Sequence, residues 1–171
     1  MHHKDQIIQD RLLALSDKLN VATVAWAVFA GAAACCYGSK RDLTDIDILV
    51  RGNDLEKAKA ALKGLEEVDV VADLELKTNS GTYKFFMDDE MMGRIERRPL
   101  LGVQIPIIPV EDNILFKAIL QRGGEMGKHD IDDIKDMLRN ERIDIQYLEK
   151  RIQRYRAGER VRPLLKQLGV L

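Results

Sequence analysis

Val28-Phe29-Ala30-Gly31-Ala32, followed after the twelve residues Ala33 to Thr44 by Asp45-Ile46-Asp47-Ile48-Leu49-Val50, is the stretch on which the fold turns. Trp26 to Gly31 reads as a short buried strand that stops at a glycine, and the small residues Ala32 to Cys36 read as a helix packed close behind it. From Thr44 to Val50 the alternation has period two. Ile46, Ile48 and Val50 fall on one face, and Asp45, Asp47 and Leu49 on the other. Two carboxylates at i and i+2 of a strand project from the same face roughly 6–7 Å apart, close enough to converge on a divalent ion. Mg²⁺ is the natural occupant, because it is held by one or two carboxylates plus substrate phosphates. Gly31 ends the preceding strand, where backbone N–H groups at a helix start suit a phosphate. Gly31 and Asp45 together would frame a triphosphate and its metal.

Working outward, Ile7, Ile8, Leu12, Leu15 and Leu19 recur at helical spacing, which predicts an amphipathic helix from about Lys4 to Leu19. Asp54 to Leu65 reads as an Ala/Lys/Leu-rich helix. Val68 to Lys77 and Thr82 to Met87 read as two strands joined by the turn Thr78-Asn79-Ser80-Gly81. Val103 to Ile108 is another strand, and Pro106 suggests an edge position or an irregular end. From Glu111 the period becomes helical, with helices at Glu111 to Gln121, from Asp130 to about Arg139, at Ile145 to Arg156 and at Arg160 to Leu168. The fold class expected is α+β. It comprises a small, mixed, mostly antiparallel sheet with helices on one face and a C-terminal helical extension, dividing into a core over 1–110 and a helical region over 111–171.

The 171 residues carry 27 basic and 28 acidic side chains, so no global charge recruits a partner. The length suits one domain, and 46% hydrophobic residues exclude a disordered chain. Cys35 and Cys36 are adjacent and cannot staple separate segments, which excludes a disulfide framework and fits a cytoplasmic location. The apolar run Val21 to Tyr37, about 17 residues long, is marginal for a bilayer, and Met1-His2-His3-Lys4-Asp5 lacks a cleavage pattern, so neither membrane insertion nor export is expected. Charge is uneven, with +5 from Arg139 to Leu171 and −6 over the remainder. A basic helical tail of this kind can meet a nucleic-acid backbone or be a solvated face with ion pairs such as Glu149 with nearby arginines.

The hydrophobic-Gly-small stretch ending at Gly31-Ala32, the twelve-residue spacer and Asp45-Ile46-Asp47 resemble the signature of the nucleotidyltransferase superfamily. The chain is most similar to its uncharacterised archaeal and bacterial members and to its abortive-infection-like members. A second similarity lies in Val110-Glu111-Asp112-Asn113-Ile114-Leu115-Phe116-Lys117, followed by Lys128-His129-Asp130-Ile131-Asp132-Asp133-Ile134. The two blocks span roughly residues 24 to 139. The resemblance implies a protein that binds a nucleoside triphosphate with Mg²⁺ and transfers a nucleotidyl group to an acceptor such as a nucleic acid or a protein. Its alternative is a non-catalytic, nucleotide-binding or antitoxin-like regulator. It implies Asp45 and Asp47 as metal ligands and catalytic groups, with Gly31, Ala32, Arg41 and Lys117 binding nucleotide. A third carboxylate on a later strand is also implied, and Asp88 is chosen, with Asp89, Glu90 and Glu75 as alternatives. Ala32 departs from the Gly or Ser usual in active members, which removes a hydroxyl contact to phosphate. Asp130 and Asp133 also have a simpler reading, as residues that start a helix. Trp26, Phe29, Phe85 and Phe86 are expected in the core rather than as base-stacking platforms.

Overall fold

The computed structural model describes residues 2–171 and is an α+β protein built on a mixed five-stranded sheet. In chain order the elements are α1 (His3–Val21), β1 (Trp26–Phe29), α2 (Ala30–Cys36), β2 (Ile46–Val50), α3 (Leu55–Ala61), β3 (Val68–Val71), β4 (Leu74–Thr78), β5 (Gly81–Phe85), α4 (Asp89–Met92), β6 (Glu96–Leu100), β7 (Val103–Ile107), α5 (Val110–Leu120), α6 (Asp130–Asn140), α7 (Ile145–Tyr155) and α8 (Gly158–Gln167). The main sheet runs β3-β2-β1-β7-β6, and β4 and β5 form a separate hairpin. β1 pairs antiparallel with β2 and parallel with β7, β2 pairs parallel with β3, and β6 pairs antiparallel with β7.

Three expectations change. The segment read as one strand from Val68 to Lys77 breaks at Ala72-Asp73, so its first half joins the main sheet while its second half forms the hairpin. β7, with Pro106, is not an edge strand. It lies between β1 and β6, and its overlap with β1 is confined to its C-terminal end, where Val28 faces Ile107. The edge on that side is β6, missed in the sequence because Glu96-Arg97-Arg98-Pro99 carries no apolar alternation. Third, both faces of the sheet are covered. Neighbouring strand residues point to opposite faces, yet Ala27 and Val28, and likewise Ile48 and Leu49, are all fully buried. α1 and α3 contact each other and reach the sheet through β7 and β3, while α2 contacts β1 and β2 together with α5 and α6.

The hairpin is tied to this core by aromatic rings. Phe85 and Phe29 each lie 5.2 Å from Phe116, and Phe85 stacks on Tyr155 at 5.4 Å. Trp26, Phe29 and Phe85 are core residues as expected, but Phe86, the next residue along, is half-buried at the surface.

α5 passes through the interior and is buried from Val110 to Ile119. Its polar side chains are therefore desolvated, and each must meet a partner. Asp112 accepts from Arg151 Nε at 2.8 Å and from the Tyr155 hydroxyl at 2.6 Å, and it also bonds the Tyr147 hydroxyl. Glu111 accepts the Asp144 amide at 2.9 Å. Asn113 clamps the junction of β1 and α2 by accepting the Ala30 N–H at 2.8 Å and donating to the Ala30 carbonyl at 3.1 Å. Ala30 needs that clamp because it sits at φ +59°, a left-handed conformation costly for any residue with a Cβ. Asn113→Ala should lower the unfolding free energy by about 1–3 kcal/mol, since it leaves the N–H of a strained residue buried and unpaired, while the Ala30 carbonyl keeps its place in the α2 ladder. Urea titration measures this, and a change below about 0.5 kcal/mol would mean that the clamp holds nothing.

Candidate functional site

At the end of β1 and β2 the sheet opens into a cleft of about 490 Å³, walled by Ala30 and Gly31, by Asp45, Asp47 and Asp69, and by β4 and the residues around Lys117 and Lys128. Asp45 precedes β2 and Asp47 lies within it. Because β3 runs parallel to β2 with Asp69 in register with Asp47, a third carboxylate arrives beside the pair. One oxygen from each of Asp45, Asp47 and Asp69 lies within 4.8 Å of the others. This all-oxygen set suits a hard divalent cation such as Mg²⁺.

The electrostatics of the cluster are unfavourable without a cation. Burial, reinforced by the neighbouring Asp45 and Asp69 charges, pushes the Asp47 carboxyl up to about 6, against a smaller opposing pull from Lys117 and Lys128.

The carboxylate that stands beside Asp45 and Asp47 is Asp69, and Asp88 is not in the cluster. Asp88 is elsewhere, at the start of α4, where it caps the Met91 amide at 2.9 Å and binds Arg151 Nη1 at 2.9 Å and Arg154 Nε at 3.2 Å. Burial raises its pKa, but the bonds from Arg151, Met91 and Arg154 outweigh this and hold it below the ordinary carboxylate value. Asp89 is paired with Arg51 at 2.7 Å and Glu90 with Arg151 at 3.2 Å. Glu75 does line the cleft but stands outside the cluster. The physical reason is the break at Ala72-Asp73, which sends Asp69 to the main sheet and leaves the strand before Asp88 in the separate hairpin.

The residues expected to bind nucleotide are partly brought together. Gly31 and Arg41 both line the cleft and touch each other, since a Cβ on Gly31 would lie 1.9 Å from an Arg41 Nη. Ala32 does not line it. Its side chain is fully buried inside α2, and the cleft is faced by Ala30 and Gly31 instead. Lys117 reaches the cleft wall, but its ammonium is buried and already neutralised, at 2.8 Å from Asp133 and 3.1 Å from Asp130. Asp133 also binds Arg41 Nε at 3.1 Å and Ser39 at 2.8 Å, and Asp130 binds Arg122 Nε at 2.9 Å. Asp130 and Asp133 lie in the first turn of α6, after the cap position His129, and their carboxylates are engaged in this network. Two functional positions escaped the sequence reading. Asp69 was a polar residue inside an apolar strand, and Asn113 a polar residue inside an apolar helix. Each of those mismatches was a signal.

A second cleft, of about 440 Å³, contains Arg94, Arg98, Glu111, Glu141 and Asp144. Its charges are closed on one another, with Arg94 on Asp144 at 3.1 Å and Arg98 on Glu141 at 2.7 Å. No helix is long and apolar enough to cross a membrane among the described residues. No protein-family model matches the chain, and no curated protein matches it either.

A raised folded-state pKa means that the folded protein binds a proton more tightly than the unfolded chain. Asp47 thus costs stability as pH rises from about 4 through about 6, and the cost is complete above that window. Asp47→Asn should make the metal-free protein more stable than wild type by about 1–2 kcal/mol at pH 7.5. The difference should vanish near pH 4. Thermal melts of both proteins in EDTA across that range provide the measurement, and a pH-independent difference would contradict the clustered-charge account.

Proposed function

We propose that this chain binds a nucleoside triphosphate together with Mg²⁺ in the carboxylate cleft and transfers the nucleotidyl group to an acceptor hydroxyl. The observation that carries the reading is the meeting of Asp45, Asp47 and Asp69, from two adjacent parallel strands and the residue before one of them, in a cleft that also contains Gly31 and Arg41. In this reading the sheet topology is that of the nucleotidyltransferase fold, and the helical region from residue 111 closes the cleft. When bound, Mg²⁺ would neutralise the phosphate oxygens and favour in-line displacement.

The chain's own residues divide the remaining work. Asp45 and Asp47 would hold the cation, Asp47 as the carboxylate it is above about pH 6. The Arg41 guanidinium, bound to Asp133 through Nε only, keeps its terminal N–H groups for phosphate oxygens. Asp69 is the most exposed of the three carboxylates and takes the proton of the attacking hydroxyl. The new bond forms between that hydroxyl oxygen and the α-phosphorus, the α–β bridging P–O bond breaks, and pyrophosphate leaves with the electron pair.

A second reading, nucleotide binding without turnover, is favoured by one observation. The buried Lys117 ammonium is saturated by two aspartates, so it offers no free charge to a leaving group.

Titration calorimetry with each of the four nucleoside triphosphates and Mg²⁺ should give binding that the double change Asp45→Asn and Asp47→Asn abolishes. Asp88→Asn should leave the affinity within about twofold, because the residue is outside the cleft. If the double variant binds as well as wild type, the cleft is not the site. Transfer of label from the α-phosphate to RNA, DNA or protein separates the two readings. Asp69→Asn should reduce that transfer by about 10²–10⁴-fold with little change in nucleotide affinity. Gly31→Ala should displace the flexible Arg41 head with a loss of less than about 1 kcal/mol in stability, while weakening nucleotide binding about tenfold.

A further inference from the structure

Outside the carboxylate cleft, one surface combines positive charge with aromatic rings. A cleft of about 440 Å³ between β5 and the end of α7 is lined by Tyr83, Lys84, Phe86, Arg154, Tyr155 and Arg156, together with one threonine and no carboxylate. Lys84 and Arg156 are exposed and make no ion pair among the described residues. The Arg154 guanidinium lies over the half-buried Phe86 ring at 5.4 Å and is itself 55% exposed, though its Nε also bonds Asp88. Arg156 ends α7 at φ +53°, a conformation that glycine would adopt without strain. The chain instead keeps a cation there.

This surface is continuous with the proposed catalytic cleft. Lys84 and Phe86 also line a neighbouring depression formed with Asp73 and with Leu74 and Glu75 of β4, so the path passes two carboxylates between its cations. Leu74 and Glu75 in turn line the cleft that contains Asp45, Asp47 and Asp69, as does the exposed Lys77. At the hairpin tip, Arg160 approaches Asn79 and Ser80 at 3.4 Å. A path therefore runs from the carboxylates over the β4–β5 hairpin to Arg154 and Arg156. Cations spaced along a groove for phosphates, with aromatic and guanidinium planes between them for bases, are what recognises an unpaired polynucleotide strand. Two other arginines of the basic tail are occupied elsewhere. Arg151 is buried on Asp112, and Arg162 is held by Glu149 at 2.6 Å.

We infer that the hairpin and the end of α7 form the binding track for a single-stranded nucleic acid, which, if the nucleotidyl-transfer reading holds, delivers its terminal hydroxyl to Asp69. The test uses the full chain and fluorescein-labelled 12-nucleotide RNA and DNA of mixed sequence, followed by anisotropy over 25–300 mM salt without Mg²⁺ or nucleotide. Wild type should bind at least one strand with salt-dependent affinity. The double change Lys84→Glu and Arg156→Glu should weaken it about 30-fold or more and reduce the log–log salt slope by about 1.4, two phosphate contacts' worth. Phe86→Leu, which preserves bulk, should weaken binding about fivefold or more. Binding of both strands assigns a backbone-and-base track, and binding of RNA alone assigns RNA. The inference is overturned if wild type binds neither strand, if the double variant binds as wild type does, or if a glutamate-rich peptide competes at equal concentration. Unchanged melting temperatures and nucleotide affinities in these variants keep a folding defect from imitating the result. Strand binding without Mg²⁺–nucleotide binding would remove the transfer reading and leave the track standing, while the reverse would remove the track alone.

Discussion

A single side-chain amide governs how the sheet is joined to its helices. Asn113 grips both polar groups of the Ala30 peptide and so holds one residue in a left-handed turn between β1 and α2. That turn starts α2 back across β1 and β2, on which it packs, and leaves Gly31 at the wall of the cleft. Because Asn113 lies on α5, the same helix that anchors Arg151 through Asp112 and neutralises Asp130 and Asp133 through Lys117, the conformation at the cleft mouth is fixed from the centre of the molecule outward. A surface helix could not impose this, since its amide would bond water as readily as the strained peptide.

The charges are sorted in space. Carboxylates without cationic partners collect at Asp45, Asp47 and Asp69, while those of Asp88, Asp112, Asp130 and Asp133 are each met by an arginine or a lysine. Breaking one of those buried pairs would strand its partner in a medium that solvates charge poorly, which makes these pairs structural whatever the cleft does. The burial that makes the paired groups rigid also raises Asp47, whose neighbours share its sign. One low-dielectric interior thus produces both the locked framework and the strained cluster.

Much of this was legible in the residues, and the rest was hidden for definable reasons. The strand ending at Gly31, the alternation of Asp45-Ile46-Asp47 and the downstream helices depend on local periodicity, which sequence carries directly. Asp69 was hidden because Val68 to Lys77 reads as one extended run, and the bend at Ala72-Asp73, where the chain leaves one sheet for another, is set by long-range pairing. Asp88 was attractive as a carboxylate at the end of a later strand, and only the distant Arg151 shows where it is engaged. The cover on both sheet faces and the position of β7 are likewise products of long-range pairing. Phe86 shares an apolar context with Phe85, yet the odd-even step of a strand puts one ring in the core and the other outside.

The order of the main sheet leaves two free margins. On one, β6 places Glu96 and Arg97 in the open and Pro99 withholds a donor; on the other, β3 presents the exposed Asp69. An additional strand from a second molecule would have to desolvate charge on either side and, along β6, would face a gap in its ladder. The protein is thereby guarded against edge-to-edge polymerisation, and on the β3 side the guard is the same carboxyl group that completes the acidic cluster.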